Sequence, residues 1–118
     1  RIRSHMIINQ DKVPANLDDA VTTLREGLSP ADIKEFKRPD FLPSQLHFTV
    51  GMALRNEWSL WENDTILVKW FKANYGIEVA DDITGIVLDC LYRDVTGQPR
   101  QAEALAKRYI AHWKKKNK

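Results

Sequence analysis

The side chains able to do chemistry in this 118-residue chain concentrate between His47 and Trp61 and again at Asp81-Asp82. His47, Gly51 and Arg55 stand at i, i+4 and i+8, a spacing that sets all three along one side of a helix. Glycine inside a helix costs about 1 kcal/mol against alanine, so Gly51 points to the close approach of another backbone or of a ligand, framed by His47 and Arg55. Directly after come Asn56, Trp58, Leu60 and Trp61, two indoles beside a guanidinium and an amide. Such groups are enriched at binding hot spots because they combine area, stacking and directed hydrogen bonds. The same indoles also serve as core filler, folding the turn onto the interior while Arg55 pairs with a buried acid. Both uses fit the spacing.

A catalytic use would pair His47 with Asp81 or Asp82 for proton transfer and let Arg55 hold an anionic substrate, in a pocket of His47, Arg55, Trp58 and Asp82. A small-ligand pocket would use the same set. Against catalysis, the chain has no Gly-rich phosphate loop, no His-x-x-x-His metal pair and no nucleophile motif. His47 also fits a hydrogen-bonded structural histidine. Cys90 is the single cysteine and lies in the apolar run Ile86-Val87-Leu88-Asp89-Cys90-Leu91, which reads as a buried thiol and excludes an internal disulfide. No metal and no cofactor is expected.

Charge bears on nucleic acid. The segment Arg1-Ile2-Arg3-Ser4-His5 ahead of Met6 reads as an expression-tag remnant. Without Arg1 and Arg3 the 18 basic residues become 16, equal to the 16 acidic ones, so the remaining chain is formally neutral. Lys107, Arg108, Lys114, Lys115, Lys116 and Lys118 cluster at the end, where a lysine run suits the negative pole of a helix. Weak nucleic-acid binding through this basic helix is the lesser alternative. No apolar run reaches the length of a membrane span and no signal segment follows Met6, so a cytoplasmic location is expected.

The motif His47, Gly51, Arg55, Asn56, Trp58, Leu60, Trp61 resembles that of an uncharacterised domain family of bacteria and their phages, whose hallmark is His, Gly, then Arg-Asn-x-Trp-x-Leu-Trp. The likeness continues through Asp81-Asp82-Ile83-Thr84-Gly85-Ile86, similar to that family's Asp-Asp-x-Ser-Gly-Ile, and through Tyr92 and Arg93. It runs from about Val13 to Arg93. Ser59 stands where the family often has glycine, and Val79-Ala80 replaces a His-Pro before the Asp pair. The resemblance implies a fold and a set of residues, not an activity.

Helices must position these groups. Apolar spacing and punctuation predict six segments and no strand-like alternation. The first runs from about Asn16 to Glu26, capped by Asn16 and stopped by Gly27. Ser29-Pro30-Ala31-Asp32 opens a short second. The third runs from Ser44 to about Glu57, and the fourth from Thr65 to Tyr75, ended by Gly76. The fifth is capped by Asp81 or Asp82, with Ile83, Ile86, Val87, Cys90 and Leu91 as its buried stripe, and ends at Gly97. The sixth runs from Pro99 to about Lys115. If the notches at Gly51 and Gly85 face each other, the third and fifth helices pack tightly and Arg55 reaches Asp81 or Asp82.

The expectation is thus an all-α, compact, irregular bundle of about five to six helices, one domain over 6–118 with a basic tail. Its expected function is non-enzymatic binding of another protein, as a bacterial or phage inhibitor or immunity-like module would do.

Overall fold

The computed structural model describes residues 13–46, 50–62 and 64–116. Among the described residues six α-helices follow in order: α1 (Leu17–Glu26), α2 (Pro30–Phe36), α3 (Met52–Glu57), α4 (Ile66–Tyr75), α5 (Ala80–Thr96) and α6 (Ala102–Lys116). No strand occurs among the described residues, so the class is all-α.

Local chemistry starts and stops these helices. Asn16 accepts from the Asp19 N–H at 2.8 Å at the head of α1, and the Asp19 carboxylate reaches back to the Ala15 N–H. Ser29 and Asp32 exchange reciprocal bonds in a full capping box ahead of α2, with Pro30 at the first helical position. Helices α4 and α5 end at Gly76 and Gly97, whose φ values of 70° and 74° lie in the left-handed region. There the Ile77 N–H returns to the Phe71 carbonyl and the Gln98 N–H to the Arg93 carbonyl, which satisfies carbonyls the helix would leave bare.

The segment expected as a helix from Ser44 is helical at Gln45 and Leu46, whose N–H groups donate to the Leu42 and Pro43 carbonyls, and helical again from Val50, where Val50 and Gly51 are wound as π-helix before α3 proper begins at Met52. His47 lies outside the described residues. At α5 the cap is Val79 in place of the expected Asp81 or Asp82: its carbonyl accepts from the Asp82 and Ile83 N–H groups at 3.0 Å, and its apolar side chain makes no capping bond. Asp81 and Asp82 therefore fall inside the first turn. They suit its positive pole there, and their carboxylates are left for tertiary partners.

Helix α5 is the axle of the fold, packing against each of the other five. Ile83, Ile86, Val87, Cys90 and Leu91 are fully buried, and Thr84 and Leu88 extend the burial beyond a single stripe. Leu24 of α1, Phe36 of α2, Leu54 of α3 and Leu67 and Phe71 of α4 close around it. Each such side chain contributes about 1.5–3 kcal/mol by leaving water. At the far end of α5, Tyr92 stacks on Phe41 at 5.7 Å, and Phe41 on Phe36 at 5.1 Å.

Helix α6 covers α5 and α4 with the small residues Ala102 and Ala106, backed by half-buried Leu105, Tyr109 and Ile110. Arg100 leads into it and anchors it, grasping Asp94 of α5 with Nε and Nη2 at 3.0 and 2.7 Å and also bonding Asp18 of α1.

Candidate functional site

The sharp turn after α3 sets the geometry of the hallmark residues. Ser59 sits at φ 52°, a left-handed conformation that L side chains resist. The Leu60 N–H bonds the Arg55 carbonyl at 3.0 Å and the Ser59 N–H bonds that of Asn56 at 3.4 Å, the paired pattern that normally calls for glycine. The Ser59 carbonyl then accepts from the Glu62 N–H and the Thr65 hydroxyl, so the turn is held on both sides. This reversal throws Trp61 back over α3 while Trp58 and Leu60 go into the core.

Trp58 and Trp61, alike in sequence, end in opposite environments. Trp58 is wholly buried, and its indole N–H has no hydrogen-bond partner among the described residues. Trp61 is 62% exposed, yet it is held: its indole N–H donates to Asn56 Oδ1 at 3.1 Å, and its ring lies 5.8 Å from the Arg55 guanidinium carbon. That distance falls within the range of a cation–π contact.

Arg55 lies beneath, only 6% exposed. The acid that meets it is Asp81, whose Oδ1 stands 3.6 Å from Nε. This is too long for a charge-assisted hydrogen bond, which closes to about 2.7–2.9 Å. Among the described residues, Nε and Nη1 have no hydrogen-bond partner. Arg100 shows what a fully made arginine–carboxylate fork looks like in the same molecule: its hydrogen bonds hold the Asp94 carboxyl below its ordinary pKa, and Asp94 raises that of Arg100.

Gly51 is the close approach. A Cβ there would meet Arg55 Nη1 and Thr84 Cγ2 at 3.2 Å and the Leu46 carbonyl at 3.3 Å, so the missing side chain lets the guanidinium and α5 press against the backbone. Thr84 presents its methyl because its hydroxyl is committed to the Ala80 carbonyl at 2.7 Å. The contact on α5 is thus Thr84, next to the expected Gly85. Gly85 itself lines a separate cavity of about 180 Å³ with Pro43, Ser44 and Tyr109.

The structure therefore gathers Arg55, Asn56, Trp61 and Asp81 at one place and disperses the rest. Asp82 is taken by the last helix, accepting from the Trp113 indole N–H at 2.8 Å. Tyr92 belongs to the aromatic stack with Phe36 and Phe41, and Arg93 pairs with Asp89 at 2.9 Å one turn earlier on α5. The pocket of His47, Arg55, Trp58 and Asp82 is not assembled among the described residues. Asp82 lines a cleft of about 600 Å³ with Ile77, Val79, Ile110 and Trp113, onto which neither Arg55 nor Trp58 opens.

Three residues that matter here carried little signal. Ser59 was visible only as a serine where the resembled family often has glycine. Thr84 was visible only as a member of the Asp-Asp-x-Ser-Gly-Ile-like stretch, and the partner of Trp113 was not legible, because both roles depend on which helices meet. Cys90 is buried in the core, and its thiol is pushed up to about 11 by loss of solvent. Among the described residues no group of three or more His, Cys, Asp or Glu is placed to hold a metal ion, and no helix is long and apolar enough to cross a membrane.

No curated protein and no solved structure matches the chain. A family model, described as a domain of unknown function (DUF6794), matches residues 13–95, from the approach to α1 almost to the end of α5 and short of α6, and the chain belongs to that family.

Proposed function

We propose that this domain is a non-catalytic module that binds another protein through a face centred on Trp61. The observation that carries the reading is the posture of that indole. Folding leaves it largely in water, yet fixes it with a hydrogen bond donated to Asn56 and a guanidinium beneath. A large aromatic ordered before it meets anything loses little freedom on binding, which is how hot-spot residues gain affinity. Met52 widens the face. It stands four residues before Asn56, hence on the same side of α3, and is 54% exposed. The scattering of Tyr92, Arg93 and Asp82 to other structural duties weighs against a catalytic pocket.

In biological terms the proposal is a cytoplasmic bacterial or phage module of the inhibitor or immunity type. A comparative pulldown tests it. Wild type and the variants Trp61→Ala and Asn56→Ala, each checked for folding by circular dichroism, are offered to extract from the native host. Loss of a specific partner with Trp61→Ala, and its weakening with Asn56→Ala, is expected; retention of every partner by both variants sinks the reading.

A further inference from the structure

Among the described residues three buried polar side-chain atoms lack a hydrogen-bond partner, Arg55 Nε, Arg55 Nη1 and Trp58 Nε1, and all three are donors. Native proteins rarely leave such atoms unmet, and a local surplus of donors means that what is missing is an acceptor. Arg55 and Trp58 are three residues apart, so they project from neighbouring positions on the same side of the chain as it leaves α3. The available acid fits poorly. Asp81 is 69% exposed at its side chain and stands 3.6 Å from a guanidinium that is almost wholly buried. Arg100, by contrast, closes on Asp94 with two short bonds.

We infer that Arg55 is a recognition site for a carboxylate of the partner protein, an aspartate or glutamate side chain or a chain terminus, which enters beneath the Trp61 indole and displaces Asp81. The inference rests on the protein-binding reading above and gives its contact surface a chemistry. Arginine donates to a carboxylate in a plane, with strong charge-assisted bonds. Gly51 leaves Nη1 bordered by backbone rather than by a side chain. Entry requires Trp61 to shift over Arg55, giving up its exposed hydrogen bond to Asn56 and its ring contact with the guanidinium in exchange for the carboxylate. Asp81 serves as the resident stand-in, keeping the buried charge compensated until the partner arrives. It sits far enough off to be replaced.

The direct test is an NMR titration of the full chain that follows the side-chain N–H signals of Arg55, Trp58 and Trp61. The probes are sodium acetate, inorganic phosphate and chloride at matched ionic strength. Acetate is expected to shift the Arg55 and Trp61 signals saturably, beyond chloride and more tightly than phosphate. Asp81→Asn, which removes the competing charge at an exposed position, is expected to tighten acetate by about tenfold. An acetate response no different from chloride, or equal to phosphate, overturns the inference, as does unchanged affinity in Asp81→Asn.

The pulldown separates this inference from the reading it rests on. Arg55→Lys keeps the charge but loses the planar donor set, and is expected to lose the partner along with Trp61→Ala. If Arg55→Lys keeps a partner that Trp61→Ala loses, carboxylate recognition falls and the binding surface stands. If Trp61→Ala keeps every partner, the surface itself falls.

Discussion

The indole N–H of Trp113, near the end of α6, donates to Asp82 Oδ2 in the first turn of α5 at 2.8 Å, across 31 residues of chain. This bond joins a helix outside the family match to one of the acids inside it. It also gives Asp82 a structural duty in place of a place beside Arg55. Lys116 lies 5.5 Å from the same ring and closes the end of the helix over it.

Trp113→Phe should therefore loosen α6 without unfolding the rest. A smaller aromatic ring stays and the donor goes, and the hydrogen bond alone accounts for about 1 kcal/mol. Hydrogen exchange should quicken in the last two turns of α6 while α1 and the centre of α5 keep their protection. Uniform protection across α6 in the variant would refute the role assigned to this bond.

Ser59 offers a gain. Its left-handed backbone costs an L residue roughly 1–2 kcal/mol, part of which glycine gives back through greater freedom in the unfolded chain. Ser59→Gly is expected to raise stability by about 0.5–1 kcal/mol in urea unfolding, with the turn and its hydrogen bonds unchanged. A fall in the midpoint would mean that the serine side chain contributes something its contacts do not reveal.

Arg55 should separate binding from stability. A buried guanidinium with unmet donors is a poor stabiliser, and an apolar residue of similar length often does as well or better. Arg55→Met is expected to stay within about 1 kcal/mol of wild type, or to exceed it, while abolishing partner capture. A loss of several kcal/mol would recast Arg55 as a structural residue. Asp81→Ala, which removes the carboxylate facing the buried guanidinium, is expected to lower stability modestly in urea unfolding.

Acid should act through Asp94. The Arg100 hydrogen bond holds its carboxyl below the ordinary value of 3.8, with its burial opposing. A group whose pKa is lower folded than unfolded stabilises the fold fully above the unfolded value. That contribution is lost as the pH falls through the folded value. Thermal stability should thus drop on acidification below about pH 4, and Arg100→Gln should flatten that drop while lowering stability at neutral pH. An unchanged acid limb in Arg100→Gln would place the sensitivity elsewhere.

Cys90 should be silent toward thiol reagents. With no exposure and a thiol pushed up to about 11, almost none of it is thiolate at neutral pH. Its labelling rate should follow global unfolding and rise with urea in step with the loss of helicity. Rapid labelling of the native protein would contradict the packing around α5.

The residue pattern alone determined the helices. Six segments, the Asn16 cap, the Ser29–Asp32 box and the stops at Gly76 and Gly97 follow from nearest-neighbour chemistry, in which each signal acts within one or two turns of itself. The buried stripe of α5 followed as well, because a 3.6-residue period is written directly into Ile83, Ile86, Val87, Cys90 and Leu91. Boundaries were less legible where two signals competed. The Asp pair looks like a cap until the Val79 carbonyl is seen to start the helix first.

What only the tertiary structure decided is which member of each pair of similar residues faces water and which is used. Trp58 and Trp61 differ by three positions in one motif, and the left-handed Ser59 sends one inward and the other out. Asp81 and Asp82 are adjacent, and the hundred-degree turn between neighbours in a helix gives one to Arg55 and the other to a tryptophan on a distant helix. Sequence spacing fixes angles around a single helix. It carries no information about which other helix arrives at each angle, and the candidate site is made of those arrivals.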